Sequence, residues 1–377
     1  MGDANIAIPL NEPYLPAFKK YEKYLEKMYA NKWLTNGGPL LQEFALRLQD
    51  YLDVPYVVLT SNGTAALQLA YRLYNLQGNV VTTPFSFIAT CNSADWVGLK
   101  VKFADIDPDN LNISPAAIEK SIDENTTAIV PVHTYGNPCD VKNIKKLADK
   151  YKLKIIYDAA HAFGIKRHKR SILNQGHASA ISFHATKLFH CIEGGALIVN
   201  NREDYQRAQN MINFGIDAQK GGISYTGFNG KMSEAHAAMG LAMLDDIDKV
   251  LEKRLEHYHL YKQLLGDAVA YPIWDKSSTQ NAGYFPVLFE DKKQRDSVYE
   301  ALSRKNIQSR AYFSPSLNSL NHFTKNQSFD CPVSEIMVDR VLCLPLFYVL
   351  KPTGIKQICT IIKSTLQSQS LRLKEAI

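Results

Sequence analysis

Lysine is among the side chains least often buried without a partner. Yet Lys187 stands between two apolar runs, A-S-A-I-S-F (178–183) and A-L-I-V-N (196–200). A neutral lysine amine in such a place is a nucleophile toward carbonyl carbon. Asp158 ends a second apolar run, in K-I-I-Y-D-A-A-H-A-F-G (154–164). A carboxylate at a buried strand end needs a partner, because an isolated buried charge is strongly disfavoured. A third stretch, L-T-S-N-G-T-A-A-L (59–67), passes from a β-branched run into a helical pattern. Gly63 allows close backbone approach there, Thr64 adds a hydroxyl, and free N–H groups at the helix start attract anions. Taken singly, each has a plain structural reading. Asp158 serves equally as an N-cap or half of a salt bridge, and Ser, Asn, Gly and Thr are ordinary helix-start residues. Taken together, an amine, a carboxylate and a phosphate cradle are what pyridoxal 5′-phosphate requires. The lysine forms a Schiff base with it, the carboxylate keeps the ring nitrogen protonated, and the helix start holds the phosphate.

The elements that must bring these residues together are legible as alternation. From about residue 40, short apolar runs (Y-V-V-L-T, N-V-V-T-T, K-V-K-F-A, A-I-V-P-V, K-I-I-Y-D, A-I-S-F, A-L-I-V-N) are mostly separated by helical patterns. That predicts an α/β fold with a mostly parallel sheet covered by helices on both faces. Ligands collect at the carboxyl ends of such strands. After about residue 230 one long helical pattern, broken near Asp245, leads to a smaller C-terminal α+β region. It holds Y-F-P-V-L-F, a helix over 292–304, I-Q-S-R-A-Y-F, C-L-P-L and a last helix over 353–366. The predicted division is 1–245 for the large domain, with an N-terminal arm, and 246–377 for the small one.

Composition is that of a globular chain of 377 residues, 46% hydrophobic and 21% charged, with a net charge of +6. The densest basic run, K-R-H-K-R (166–170), lacks aromatic interleaving and reads as a solvated loop, so neither nucleic acid nor membrane is an expected partner. Six cysteines at 91, 139, 191, 331, 343 and 359 form no C-x-x-C pair and no zinc spacing with histidine. Reduced thiols, a cytoplasmic location and no metal site are expected. The start M-G-D-A-N-I-A-I-P-L lacks the basic-then-apolar order of a signal segment.

The order of motifs resembles the DegT/DnrJ/EryC1/StrS family of nucleotide-sugar aminotransferases, from W-L-T-N-G-G-P-L (33–40) to C-L-P-L-F (343–347). Between them come S-N-G-T-A-A-L, P-F-S-F-I-A-T (84–90), A-D-I-D, P-V-H-T-Y-G, D-A-A-H-A-F-G, S-F-H-A-T-K and G-F-N-G-K-M-S-E-A-H-A-A-M-G (227–240). The resemblance implies a fold-type-I, aspartate aminotransferase-like architecture and pyridoxal 5′-phosphate as cofactor. It makes Lys187 the Schiff-base lysine and proton shuttle and Asp158 the partner of the pyridinium. It places His161 at the phenolic oxygen, and Gly63, Thr64 and Ser182 at the phosphate. Phe87 stacks on the ring, with Phe85 as the alternative register. Asn229 reaches the phosphate of a neighbouring subunit, which implies a homodimer with shared sites. Thr35 and Tyr312 line the substrate pocket. One departure stands out. Many relatives have G-Y-N-Y-R-M where this chain has G-F-N-G-K-M, so Lys231 replaces an arginine whose planar bidentate contact lysine cannot copy.

S-F-H-A-T-K followed by E-G-G resembles relatives that act on 4-keto-6-deoxy sugars. The expected reaction moves the amino group of L-glutamate to C4 of dTDP-4-keto-6-deoxy-D-glucose, giving dTDP-4-amino-4,6-dideoxy-D-glucose for a surface polysaccharide or O-antigen. A galactose-configured product, or another keto-sugar nucleotide, is the alternative, since no motif decides the C4 configuration. A non-catalytic regulator is a remote one, because it would not need the lysine, aspartate and cradle together.

Overall fold

The computed structural model describes residues 8–217, 220–324 and 329–375. The first seven residues, part of the stretch on which the reading of no signal segment rests, lie outside them. Two helices open the chain, α1 (Phe18–Asn31) and α2 (Pro39–Leu52). Then β1 (Tyr56–Thr60), α3 (Gly63–Leu73), β2 (Asn79–Thr82), α4 (Ala89–Trp96), β3 (Lys100–Phe103), α5 (Pro115–Ser121), β4 (Thr126–Val130), α6 (Val141–Tyr151) and β5 (Lys154–Asp158) alternate as predicted. A small hairpin, β6 (Lys166–Arg167) and β7 (Arg170–Ser171), precedes β8 (Ala178–Ser182), β9 (Gly195–Val199) and α7 (Arg202–Met211).

Seven strands form one sheet in the order β1-β9-β8-β5-β4-β2-β3. All pairs are parallel except those of β9, which runs antiparallel to both β1 and β8. The reason is the connection. No helix lies between β8 and β9, and a parallel return needs a crossover of a dozen residues or more, usually through a helix. Side chains alternate between two buried layers. Val57, Leu59, Ile155 and Tyr157 enter one core, while Val58 and Ile156 enter the other. On β1 and β5 neither face is left to water, which explains why they read as continuous apolar runs.

The predicted break near Asp245 separates α8 (Glu234–Leu244) from α9 (Ile247–Leu265). Helix α9 reaches from the sheet's core, through Ile247 and Val250, to a third core containing Tyr261 and Leu265. That core also takes the strand pair β10 (Pro286–Leu288) and β11 (Val341–Cys343), with α10 (Lys292–Ser303) and α13 (Pro352–Glu375) against it. Short helices α11 (Asn321–Thr324) and α12 (Pro332–Arg340) lie between.

Four expectations need correction. Helix α1 precedes the predicted start of regular structure; only Tyr24 and Met28 of it are fully buried, too thin a stripe to read as periodicity. The run 166–170 is the β6–β7 hairpin rather than a free loop. His168 and Lys169 both take positive φ at its turn, and Arg167 Nε is tied to Asp275 Oδ2 at 2.6 Å. I-Q-S-R-A-Y-F is no regular strand but carries an isolated bridge from Arg310 to Cys343. The last helix runs well past 366.

Candidate active site

Thr60, Asp158 and Ser182 close β1, β5 and β8, and the antiparallel β9 starts at Gly195, paired with both Thr60 and Ser182. The turn after β1 lies directly on that start. A Cβ on Gly195 would sit 2.6 Å from Asn62 C and Gly63 N, and one on Gly63 would sit 2.9 Å from Ser182 Cβ. Asn62 accepts from Ala65 N–H at 2.8 Å and so caps α3. The N–H groups of Gly63 and Thr64 have no place in the helix ladder, and both residues line a cavity of about 470 Å³.

Asp158, His161, Ser182, Lys187, Phe87 and Tyr312 line the same cavity. Phe85, the alternative ring-stacking residue, is fully buried against Tyr135 and Phe313, whereas Phe87 is 56% exposed at the cavity wall. Thr35 and Asn229 are exposed and lie outside this cavity. The Asn229 segment nonetheless abuts the cradle, since Gly230 O accepts from Ser61 N at 2.7 Å. Lys231 is also outside, 4.4 Å from the centre of the Phe214 ring.

The buried Asp158 is held from two sides. Oδ2 accepts from Thr90 Oγ1 at 2.7 Å, and Oδ1 accepts from Ala160 N at 3.1 Å. Burial pushes its pKa up, against the pull of those two donors and the Lys187 charge. Burial pushes the Lys187 amine down from the ordinary lysine range, with Asp158 opposing. It also holds His161 well below 6.5, helped by the Lys187 charge, so the imidazole is neutral. One dry environment thus favours the neutral form of both groups: it readies the amine, while the two donors and the Lys187 charge oppose it at the carboxylate.

Several residues at the site had no role marked out by the sequence. Thr90, the last residue of P-F-S-F-I-A-T, lies in the first turn of α4 and donates to Asp158. Tyr284 and Arg310 come from the C-terminal region, more than ninety residues after Lys187, and line the cavity opposite the strands. Lys187 Nζ donates to Tyr284 Oη at 3.3 Å. Asp105 of A-D-I-D lies outside the cavity and accepts from Val333 N and Ser334 N at 2.8 Å, tying α12 to the sheet. Its place in the motif order is therefore structural.

The fit of pyridoxal phosphate can be judged on three features. His161 Nδ1 is buried with no hydrogen-bond partner among the described residues, a cost that a bound group with a polar atom there removes. Glycines keep the Asn62–Thr64 cradle clear of side chains. Asp158 keeps acceptor capacity toward the cavity, since a carboxylate has about four lone-pair sites. The residues fit the cofactor.

A cradle at a helix start, a strand-end carboxylate and a buried amine on this sheet order define a pyridoxal-phosphate enzyme of the aspartate aminotransferase type. Residues 18–363 match the DegT/DnrJ/EryC1/StrS aminotransferase family, and the chain belongs to it. It is 40% identical to the dTDP-4-amino-4,6-dideoxy-D-glucose transaminase of Shigella dysenteriae, over 94% of this chain and 98% of that one. Identity to the Escherichia coli enzyme of the same name is 39%, over 90% and 94%. Among solved structures, DesI in the presence of its TDP-sugar product superposes with a TM-score of 0.92, at 32% identity over 99% of this chain and 96% of that one. This chain is a pyridoxal-phosphate-dependent aminotransferase.

Proposed function

We propose that the chain transfers the amino group of L-glutamate to C4 of dTDP-4-keto-6-deoxy-D-glucose, giving dTDP-4-amino-4,6-dideoxy-D-glucose. The observation that carries this is the shared cavity of Lys187, Asp158, His161 and the Gly63–Thr64 cradle, in a chain 40% identical over nearly its full length to a transaminase of that sugar. Pyridoxal phosphate, when bound, supplies a ring that accepts electrons from the carbon losing its proton. Asp158 would hold a protonated ring nitrogen, His161 would meet the ring's oxygen, and Gly63, Thr64 and Ser182 would hold the phosphate. Phe87 would cover one face. Lys187 Nζ takes the proton from Cα of the donor and later delivers one at C4 of the sugar. It can do so only when neutral, and its burial favours that form.

The reading extends to a homodimer in which Asn229 serves the second copy's phosphate site. Its support is the exposed Asn229 next to the cradle and a set of exposed apolar side chains, among them Trp33, Leu34, Phe214 and Ile216. Thr35 would approach substrate in the same way, and Tyr312 from the cavity wall. Support for a division into 1–245 and 246–377 is that α9 starts in one core, at Ile247 and Val250, and ends in another, at Tyr261 and Leu265. A cytoplasmic place in surface-polysaccharide or O-antigen synthesis fits six free, buried cysteines and the absence, among the described residues, of a helix long and apolar enough to cross a membrane. The test is to incubate the holoenzyme with L-glutamate and the keto sugar and to solve the product by NMR. A C4 amine in the glucose configuration is expected. A galactose-configured amine would overturn the stereochemistry, and no amino sugar would overturn the substrate.

A further inference from the structure

Tyr284 has no role in the account above, yet its hydroxyl is the group that Lys187 Nζ contacts, at 3.3 Å. Its ring is fixed on several sides. It lies edge-on to His161 with centroids 4.8 Å apart, and Tyr135 and Tyr312 pack at 5.6 and 5.8 Å. The backbone leading to it is clamped as well. Buried Arg254 on α9 donates from Nε to Ala282 O at 2.9 Å and from Nη2 to Gly283 O at 3.0 Å. Buried Asn281 donates from Nδ2 to His161 O and Phe163 O, both at 2.9 Å, which ties this segment to the loop after β5. Asn281 Oδ1 accepts from Gly283 N at 3.0 Å. Two buried side chains therefore aim one phenol at one amine. A free surface tyrosine would need neither.

We infer that Tyr284 is a positioning residue for Lys187: its hydroxyl holds the free amine in place in the cavity whenever that amine is not attached to the cofactor. A lysine has many rotamers to lose, and one fixed partner limits them. Burial keeps Tyr284 a neutral phenol, so it directs the amine without adding a charge that would hold it protonated. This rests on the proposed attachment of the cofactor to Lys187 and, for its second readout, on L-glutamate as the donor.

The test is Tyr284→Phe, which keeps the ring packing and deletes the hydroxyl. First, pyridoxal phosphate is added to cofactor-free protein, and attachment to Lys187 is followed by the growth of the visible absorbance band. Attachment should slow about tenfold, the scale of one lost hydrogen bond. Second, bleaching of that band is followed with L-glutamate and with its Cα-deuterated form. The maximal rate should fall about tenfold with the half-saturating concentration unchanged within twofold. The deuterium isotope effect should rise, because the step made by Lys187 has become slower relative to the others. A merely structural tyrosine would not change the isotope effect. Wild-type attachment and isotope effect in Tyr284→Phe overturn the inference. If the wild-type protein attaches cofactor but L-glutamate does not bleach it, the donor assignment falls, and the attachment rate still decides on Tyr284.

Discussion

Replacing Gly195 with alanine tests whether the cradle is as tightly built as the geometry says. The added Cβ would lie 2.6 Å from two backbone atoms of the Asn62–Gly63 turn and 2.7 Å from Asn62 O, where ordinary contact begins at 3.4 Å. Something must move by the difference, 0.8 Å. Gly195 itself is poorly placed to yield, because it is paired to β1 on one side and β8 on the other. The turn is the part freer to yield, and its shift would carry the Gly63 and Thr64 N–H groups away from Ser182. Overpacking of this kind costs about 1–3 kcal/mol. Where the turn gives way, that cost appears as cofactor affinity weakened about ten- to a hundredfold, at tenfold per 1.4 kcal/mol. Where it holds, the cost appears as lost stability. The assays are an absorbance titration of cofactor-free protein with pyridoxal phosphate and a urea unfolding curve on the same sample. Gly63→Ala should be milder, since its nearest obstacle, Ser182 Cβ, lies at 2.9 Å and the nearest backbone atom at 3.3 Å rather than 2.6 Å. Wild-type affinity together with wild-type stability in Gly195→Ala would refute the reasoning.

Asp158→Asn should still bind cofactor but lose at least a hundredfold in turnover, because a neutral amide cannot hold a cationic ring nitrogen; steady-state kinetics with the absorbance spectrum of the same protein checks this. Glu234 is buried and accepts from Leu40 N at 2.8 Å and Leu41 N at 2.9 Å, so Glu234→Ala strands two N–H groups at the start of α2. A loss of about 2–4 kcal/mol in a denaturant titration is expected. Asp123 is held well below the ordinary carboxylate range by Asn79, Lys102, Thr126 and the Asn125 N–H. A depressed folded pKa stabilises above the unfolded value, and that stability is lost as pH falls through the folded one. Asp123→Ala should therefore cost about 1–2 kcal/mol at pH 7, with the gap to wild type narrowing below about pH 4. Parallel unfolding curves across that range give the answer.

What the sequence made legible follows from what is local in the fold. The strands β1, β5 and β8 are apolar runs with polar residues at their ends, so Asp158, Ser182 and the Gly63–Thr64 turn could be placed without a structure. Lys187 was legible because a lone cation between two buried strands is costly unless it is used. Tyr284 and Arg310 were not, because they reach the site from other elements and carry no local pattern; Thr90 stands inside P-F-S-F-I-A-T, but its partner Asp158 is 68 residues away in the chain. The direction of β9 was equally hidden: its apolar run is the same whichever way it pairs, and only the missing helix before it hints at the reversal. The fall of Phe85 into the core and Phe87 onto the cavity wall depends on a two-residue register that periodicity cannot fix at a strand-to-helix turn.

In the proposed function one amine, Lys187 Nζ, attaches the cofactor. Borohydride reduction of the protein with pyridoxal phosphate, followed by digestion and mass spectrometry, locates the modified lysine directly. Stoichiometric label is expected on the peptide carrying Lys187, and none on that peptide once L-glutamate has been added first. Label on another lysine, such as Lys231, or no label at all would contradict that proposal.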